Sequence, residues 1–338
     1  MNRRVLLLLV LVVLGALAWW LNNERGTTTL AGPMSDFMVP DTAKVDRIFI
    51  AEHAGNSVDL RRQADGTWTA NGMYPAKQTY VDLLLKTFLR IEVRSPVPKS
   101  GEENVLRVMS AASKKVEIYT GGKKPEKIWI VGHGTKDHFG TYMLLEKPGV
   151  GRSNVPFVTN MSGFTGTLSS RFHANMDDWR SSEVFRFAEM YDIASVEVER
   201  PDAPRTNYRI EHLGNETVRL LDHQGQAIPF DTVLVRGSLL IFQKLNYEYV
   251  DRNPTKLERD SILALTPNHV LRLTRRDGTS EMVKFWYMPN QGELGSEETV
   301  SQLHDGVRMR ALVEDTLLVV VQRTMWDRVL QPVNALRP

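Results

Sequence analysis

The chain has 338 residues, of which 42% are hydrophobic and 24% charged, a composition typical of packed globular proteins. Its 42 Lys and Arg residues against 40 Asp and Glu residues give a net charge of +2 without a long run of like charge, which argues against a nucleic-acid partner. The chain has 0 cysteines, which excludes disulfides, thiol nucleophiles, cysteine-based zinc sites and the lipid-attached cysteine of a bacterial lipoprotein.

The first residues predict a transmembrane signal anchor over residues 1–22. An uninterrupted apolar run, residues 5–21, is close to the lower limit of roughly 17 residues for a helix that spans a bilayer. Arg3 and Arg4 precede the run and favour the cytoplasmic side, whereas Trp19 and Trp20 suit the opposite interface. The sequence therefore predicts a single-pass membrane protein, with the lipid bilayer around residues 5–21 and everything after Asn22 outside the cytoplasm.

A cleaved signal peptide is the alternative for this segment. Ala16-Leu17-Ala18 has the form of a signal peptidase site, which would place cleavage after Ala18. The uncleaved anchor is favoured because the apolar run continues past this site through the two tryptophans. Both alternatives export the rest of the chain.

Residues 23–44 predict a spacer, and residues 45–175 predict a first folded module. The spacer contains prolines and a threonine run and has no clear periodicity. After it, apolar residues alternate with polar ones in "VDRIFIAEHAGNSVDLRRQADGTW", with breaks at Gly55-Asn56 and Asp65-Gly66. This pattern predicts three short antiparallel strands.

Two helices are expected next in this module. Apolar residues at helical spacing predict an amphipathic helix over residues 76–90. Ser100-Gly-Glu-Glu103 has the spacing of a capping box and predicts the start of a second helix, which runs through Ala111. Strands with glycine-rich turns follow, and "SGFTGTLSSRF" predicts a helix that closes the module.

Residues 176–338 repeat this order and predict a second module. Three predicted strands lead to a helix over Phe230–Leu245, and a shorter helix follows Asn253-Pro254. Matching segments lie about 150 residues apart, further than in solenoid repeats, which indicates duplication of a whole domain. The expected fold is therefore α+β: two tandem related modules, each an antiparallel sheet covered on one face by helices.

Trp68 ends a predicted strand just before the first helix. The matching position of the second module holds Leu220–Asp222. A tryptophan that stacks on a ligand is not replaceable by leucine if both modules bind, whereas a core residue can be either. Trp68 is therefore expected to pack in the core.

Several segments resemble the bacterial DUF4340 family, whose name denotes a domain of unknown function. The resemblance covers residues 45–251 and rests on "VDRIFI", "VDLRRQADGTW", "VDLLLKTFLRIEV", "DDWRSSEVFRF" and "IASVEVER", with Asp178-Trp179-Arg180 as the most specific match. It implies an N-terminal membrane anchor and an exported domain. The expected location is therefore the bacterial inner membrane, with the C-terminal modules in the periplasm. Because some members are associated with ABC transporter components of the type linked to gliding motility, it also implies a membrane complex as partner. It implies no catalytic residues.

No recognisable catalytic or cofactor motif is present in the sequence. His133, Asp137 and His138 form the densest titratable group, but their spacing does not fit a helical zinc motif, so a solvated hairpin loop is favoured over metal binding. The sequence contains no nucleophile elbow, phosphate-binding loop or dinucleotide fingerprint. Carboxylate pairs such as Glu102-Glu103 are adjacent in sequence, whereas glycosidase chemistry needs two carboxyls that face each other. We therefore expect no catalytic residue, metal or cofactor.

Asp178, Trp179 and Arg180 are candidate interface residues. Tryptophan and arginine are enriched at the energetic centres of protein interfaces. The alternative is that Trp179 packs between the two modules, since this segment joins them.

The expected function is that of a non-enzymatic accessory or scaffold subunit of a membrane complex such as an ABC transporter, with the permease and ATPase subunits as partners. One alternative is a module that binds envelope polysaccharide or lipid through exposed aromatics such as Trp129, Trp286 and Tyr287. Another is a hydrolase whose site is assembled from distant residues.

Overall fold

The computed structural model describes residues 34–214, 217–290 and 304–338. The predicted anchor with Arg3, Arg4, Trp19 and Trp20, and the candidate cleavage site, lie outside these residues. Within the described ranges, no helix combines the length and the apolar character needed to cross a bilayer. The contacts divide the chain into two compact units, Met1–Ser181 and Ser182–Pro338. The predicted division after residue 175 lies slightly earlier.

Both units consist mainly of antiparallel strands with few helices, which confirms the α+β class. The elements of the first unit are β1 (Arg47–Glu52), β2 (Ser57–Arg62), β3 (Trp68–Ala70), β4 (Tyr74–Pro75), α1 (Gln78–Arg90), β5 (Ile91–Pro96), α2 (Lys99–Ala112), β6 (Lys114–Tyr119), β7 (Lys127–Gly134), β8 (Thr141–Lys147), β9 (Gly151–Arg152), β10 (Phe157–Met161) and α3 (Met176–Trp179). The strands form one sheet in the order β4-β3-β2-β1-β6-β7-β8-β10-β5, and β9 pairs with β8.

The main core of the first unit lies between its sheet and α1. Ile48 and Ile50 alternate with more exposed residues along β1, so one face of the strand is apolar. Val81, Leu84 and Phe88 bring the apolar side of α1 into the same cluster. Helical spacing and strand alternation thus meet at one surface, as the sequence predicts.

α2 covers the other face of this sheet. Val105 and Met109 of α2 pack against Leu144 of β8, whereas the neighbouring Met143 and Leu145 belong to the core beneath α1. Successive strand residues point to opposite faces, so the two helices lie on opposite sides of the sheet. The prediction that helices cover one face is therefore wrong for this unit.

Residues 34–44, predicted as the end of the spacer, instead pack on the first unit. Phe37 is buried and lies edge-on to Trp129 and Phe157, with ring centroids 6.1 and 6.0 Å apart. The ammonium of Lys127, itself buried, donates to two backbone carbonyls of this segment. The buried ring of Phe37 and the buried ammonium of Lys127 therefore hold the chain in place just before β1.

Trp68 is buried in the core beneath α1, which confirms its predicted position. Two other predictions for this unit are wrong. α2 begins directly after Pro98, so Ser100 lies within the first turn and caps nothing. The predicted closing helix is only a short 3-10 turn, because Gly163 and Gly166 adopt φ values of +75° and +136°, which do not continue a helix.

The second unit contains β11 (Glu183–Arg186), β12 (Ile193–Glu199), β13 (Tyr208–Gly214), β14 (Thr217–Asp222), α4 (Thr232–Ile241), β15 (Lys244–Asn246), β16 (Tyr249–Val250), α5 (Lys256–Ala264), β17 (His269–Arg275), β18 (Ser280–Pro289), β19 (His304–Val313), β20 (Leu317–Gln322) and α6 (Arg323–Trp326). Its main sheet has the order β14-β13-β12-β17-β18-β19-β20-β16, and β11 pairs with β15. The buried core of this unit contains residues from α4 and from one face of the main sheet.

α4 is shorter than the predicted helix over Phe230–Leu245. It begins after Asp231, whose carboxylate accepts hydrogen bonds from the backbone amides of Val233 at 2.8 Å and Leu234 at 3.1 Å. It ends at Ile241, because the chain turns there and continues as β15, which pairs with β11.

The short helix predicted after Asn253-Pro254 is confirmed as α5. Thr255 and Glu258 form a capping box at its start: the hydroxyl of Thr255 accepts from the amide of Glu258 at 3.3 Å, and the carboxylate of Glu258 accepts from the amide of Thr255 at 2.8 Å. The box fixes where the helix begins.

Candidate interaction surface

Trp179, the centre of the predicted interface segment, belongs to the core of the first unit. It is buried, its indole Nε1 donates to the carbonyl of His173 at 2.7 Å, and its ring stacks on the His173 imidazole at 5.1 Å. A buried indole offers no surface to a partner. The residue therefore holds the end of the first unit together.

Asp178 and Arg180 make local contacts on either side of this tryptophan. The carboxylate of Asp178 accepts from the side-chain amide of Asn175 at 2.9 Å. The guanidinium of Arg180 lies over the ring of Tyr74 at 4.2 Å. These contacts stabilise the segment within its own unit, and an interface role for the two charged residues stays a prediction.

The titratable group in the loop between β7 and β8 is built as a tight turn. Asp137 accepts a hydrogen bond from the hydroxyl of Thr135 and one from the amide of Phe139, and these bonds hold the pKa of its carboxyl below the ordinary value. His138 has a φ of +59°, a left-handed conformation that turns the chain. In residues 34–214, 217–290 and 304–338, no three His, Asp or Glu side chains are placed to hold a metal ion.

The aromatics considered for polymer binding differ in exposure. Trp129 and Trp286 are buried, so neither presents a ring face to a polysaccharide. Tyr287 is half-buried and stacks on His304 with centroids 5.2 Å apart. A continuous platform of exposed rings is not formed by these three residues.

One side of α4 is inserted in the core of the second unit. Val235 and Leu239 are fully buried, and Phe242, just past the end of the helix, is buried beside them. Ser238 is also buried, and its hydroxyl donates to the carbonyl of Leu234 at 3.0 Å. This side fixes the orientation of the helix on its sheet.

The opposite side of α4 also carries apolar side chains, beside Arg236. Val233 is 79% exposed, Leu234 45% and Leu240 49%. Residues three and four apart lie on one side of a helix, so these side chains surround Gly237. We call Val233, Leu234, Gly237 and Leu240 the α4 face. Neighbouring exposed apolar side chains make this face a candidate interaction surface.

Gly237 forms the low point of the α4 face. A Cβ atom at this position would meet no atom within 4 Å, so the packing of the unit does not require glycine here. Glycine in a helix interior is less favourable than alanine by about 1 kcal/mol. Gly237 therefore destabilises the helix. It also leaves a depression between larger apolar side chains.

α1, the long helix of the first unit, has a different exposed side. Gln78, Asp82 and Lys86 recur every fourth residue on it, and the amide of Gln78 donates to the carboxylate of Asp82 at 2.7 Å. Leu83 and Leu89 are also exposed, but α1 contains no glycine. The combination of glycine and apolar side chains on α4 is not repeated on α1.

A buried histidine lies elsewhere in the second unit. His269 at the start of β17 accepts a hydrogen bond from Arg200 at Nδ1, over 3.4 Å, and its Nε2 lies 2.8 Å from the hydroxyl of Tyr287. Burial, with a smaller contribution from the Arg200 charge, lowers the pKa of His269 to about 4. The imidazole is therefore neutral at ordinary pH.

Comparisons with family models, curated proteins and solved structures return no match for this chain. The α4 face was not among the residues predicted from the sequence. Its signal was the segment "TVLVRGSLLI", which is apolar almost all round, a pattern that does not tell which side of a helix the fold covers.

Proposed function

We propose that this chain is a non-enzymatic, membrane-anchored protein of the bacterial envelope that binds another protein through the α4 face. The observation that carries the proposal is the exposure of three large apolar side chains, Val233, Leu234 and Leu240, around a glycine. Burial of such side chains at an interface yields roughly 25 cal/mol per Å² of apolar surface. A surface of this kind is more stable with a partner than in water.

The partner element that fits the α4 face is a helix with an apolar side. Helices pack by placing the ridge of one into the groove of another, and small residues allow the two backbones to approach closely. Gly237 supplies the groove, with Val233 and Leu234 on one side of it and Leu240 on the other. The packing of the second unit does not require glycine at position 237, whereas close approach of a partner helix does.

The two units are proposed to be tandem copies of one module. From β3 to β5, the first sheet runs β3-β2-β1-β6-β7-β8-β10-β5, and the second runs β14-β13-β12-β17-β18-β19-β20-β16. β12, β13 and β14 take the places of β1, β2 and β3, strands β17 to β20 take those of β6, β7, β8 and β10, and β16 takes that of β5. α1 follows β3 and the short β4, and α4 follows β14. This agreement supports duplication, with the α4 face as a feature of the second copy alone.

The proposal places the protein in a membrane complex. Residues 5–21 would anchor it in the inner membrane, and the described units would lie in the periplasm. The resemblance to the DUF4340 family favours an accessory or scaffold subunit of an ABC transporter, with its permease and ATPase subunits as partners. The α4 face would contact a membrane-associated subunit of that complex.

Copurification tests this function. Tagged full-length protein is purified in mild detergent from its native membrane, and the accompanying chains are identified by mass spectrometry. Leu240→Glu should lose the partner, because a carboxylate on the α4 face would lose its hydration in the interface. Leu89→Glu is the matched control, since Leu89 is 42% exposed on α1 and should leave the partner bound.

A second variant separates binding from folding. Gly237→Leu fills the depression and has better helix propensity than glycine, so the second unit should be at least as stable while partner recovery falls about tenfold or more. Undiminished recovery with both Leu240→Glu and Gly237→Leu would refute the α4 face as the binding surface. Recovery of the wild-type protein alone would refute the accessory-subunit proposal.

A further inference from the structure

α5 lies on the face of the second sheet that is opposite to α4. It is held there by Trp286, whose indole Nε1 donates to the carbonyl of Leu265 at 3.1 Å just past the helix end. Its neighbour Phe285 belongs to the core beneath α4, so Trp286 points to the other face. None of the residues of α5 is buried, and Leu257 is 78% exposed. The helix is therefore only lightly attached to its sheet.

The corresponding helix of the first unit, α2, is packed much more closely. A Cβ atom at Gly132 on β7 would come within 2.7 Å of the Met109 side chain, which shows how near α2 lies. When the strands are matched by sheet order and residue pairing, Trp286 occupies the position of Gly132. The indole occupies the space that α2 fills in the first unit, so α5 lies further from the sheet of the second unit.

An open groove of about 510 Å³ results beside α5, a volume in the range of small-molecule sites. The residues that line it are Asn253, Pro254, Leu257, Glu258, Ser261, Ile262 and Arg310. Three of them, Pro254, Leu257 and Ile262, form an apolar wall. We call this space the α5 groove.

Arg310 gives the α5 groove a polar end. Its Nε donates to the carboxylate of Asp251 at 2.8 Å, and the two side chains are 17% and 1% exposed. Among the described residues this is the one hydrogen bond that Arg310 donates, so its terminal nitrogens are available for an acceptor. Arginine binds carboxylate and phosphate oxygens through two parallel hydrogen bonds.

Two other polar groups of the groove have local partners. The carboxylate of Glu258 is held by Thr255 in the capping box, and the hydroxyl of Ser261 donates to the carbonyl of Leu257 at 2.8 Å. Exposed cationic side chains, Arg252 and Lys256, flank the start of α5. The terminal nitrogens of Arg310 are therefore the cationic donors in the lining of the groove.

We propose that the α5 groove binds a single-chain anionic lipid. Its acyl chain would lie along Pro254, Leu257 and Ile262, and its carboxylate or phosphate oxygens would accept hydrogen bonds from the terminal nitrogens of Arg310. The terminal N–H groups of Arg310 can donate two parallel hydrogen bonds to an anionic head, and an acyl chain fills space beside the apolar side chains. The site is separate from the α4 face and does not depend on the function proposed for that face.

Photolabelling tests this site on the full-length chain in phosphatidylcholine nanodiscs. The probe is palmitate carrying a diazirine on its acyl chain, and mass spectrometry maps the labelled peptides. We expect labelling within residues 253–262 at least tenfold above that by the methyl ester of the same probe, which lacks the anionic head. Competition by unlabelled palmitate and by lysophosphatidylglycerol identifies which head group binds better.

Two variants make the test decisive. Leu257→Glu places a carboxylate on the apolar wall at an exposed position, and should reduce labelling about tenfold without affecting the fold. Leu265→Glu, at another exposed leucine close to the end of α5 but outside the groove lining, should leave it unchanged. Equal labelling by the methyl ester, or equal labelling of Leu257→Glu and wild type, would overturn the proposal.

Discussion

Replacing Gly237 by alanine should stabilise the second unit. The residue lies within α4, between Arg236 and Ser238, and an added Cβ would meet no atom within 4 Å, so no repacking is needed. Alanine is more favourable than glycine in a helix interior by about 1 kcal/mol, partly because it restricts the unfolded chain. No loss of contact offsets this gain.

The free energy of unfolding is measured on the purified full-length chain in mild detergent, by urea unfolding followed with peptide-resolved hydrogen exchange. With a denaturant slope of about 2 kcal/mol per molar urea for a unit of this size, Gly237→Ala should raise the midpoint of the second unit by about 0.5 M. The first unit serves as the internal reference, since its midpoint should not move. A lowered midpoint in the second unit would show that Gly237 serves its own packing, and would refute the reasoning that assigns it to a partner.

Three further predictions concern the cores. The pKa of His269 is about 4 in the folded chain against an ordinary value of 6.5, so folding favours the neutral form, and the stability present above pH 6.5 is lost as the pH falls toward 4. In urea unfolding, the wild type should lose about 3 kcal/mol more over this interval than His269→Gln does. His223→Gln, a change of an exposed histidine, should lose as much as the wild type. Phe37→Ala should destabilise the first unit by about 3–5 kcal/mol, whereas Met38→Ala, at the neighbouring 43% exposed side chain, should cost less than about 1 kcal/mol; equal effects would contradict the packing of residues 34–44. Gly132→Ala should destabilise the first unit by about 1–3 kcal/mol because of the clash with Met109, while Gly101→Ala, whose nearest contact would be an ordinary 3.8 Å, should not, as thermal unfolding of the two variants can establish.

The alternation of apolar residues was sufficient to predict the first strands and α1. Its predicted range, residues 76–90, differs from the observed Gln78–Arg90 only at the start. Trp68 was predicted correctly from the comparison with the second module, whose matching position holds leucine. These features depend on local periodicity, which a single sequence displays.

Features that depend on backbone conformation or on distant packing could not be predicted. The segment predicted to close the first module contains enough apolar residues for a helix, but Gly163 and Gly166 adopt left-handed conformations. Ser100 has the right spacing for a cap, yet the helix begins before it, directly after Pro98. In both cases little in the sequence indicated the backbone conformation that the structure shows.

The candidate site shows the same limit. Trp179 was a candidate interface residue from its type, with packing at the junction of the modules as the alternative, and its indole is buried against His173 in the first unit. The α4 face was missed because Val233 and Leu240 do not differ in character from the buried Val235 and Leu239 on the same helix. Only the packing of the helix on its sheet decides which of them contact water.

Site-specific photocrosslinking in intact cells tests the central proposal most directly. A photoreactive phenylalanine analogue is placed at Val233, the most exposed residue of the α4 face, and in a control at Asp82 on the polar side of α1. The proposal predicts a discrete crosslink to a second polypeptide from position 233, lost when Leu240→Glu is also present, and no such product from position 82. Equal crosslinking from both positions, or none from position 233, would contradict the proposal that the α4 face binds a protein partner.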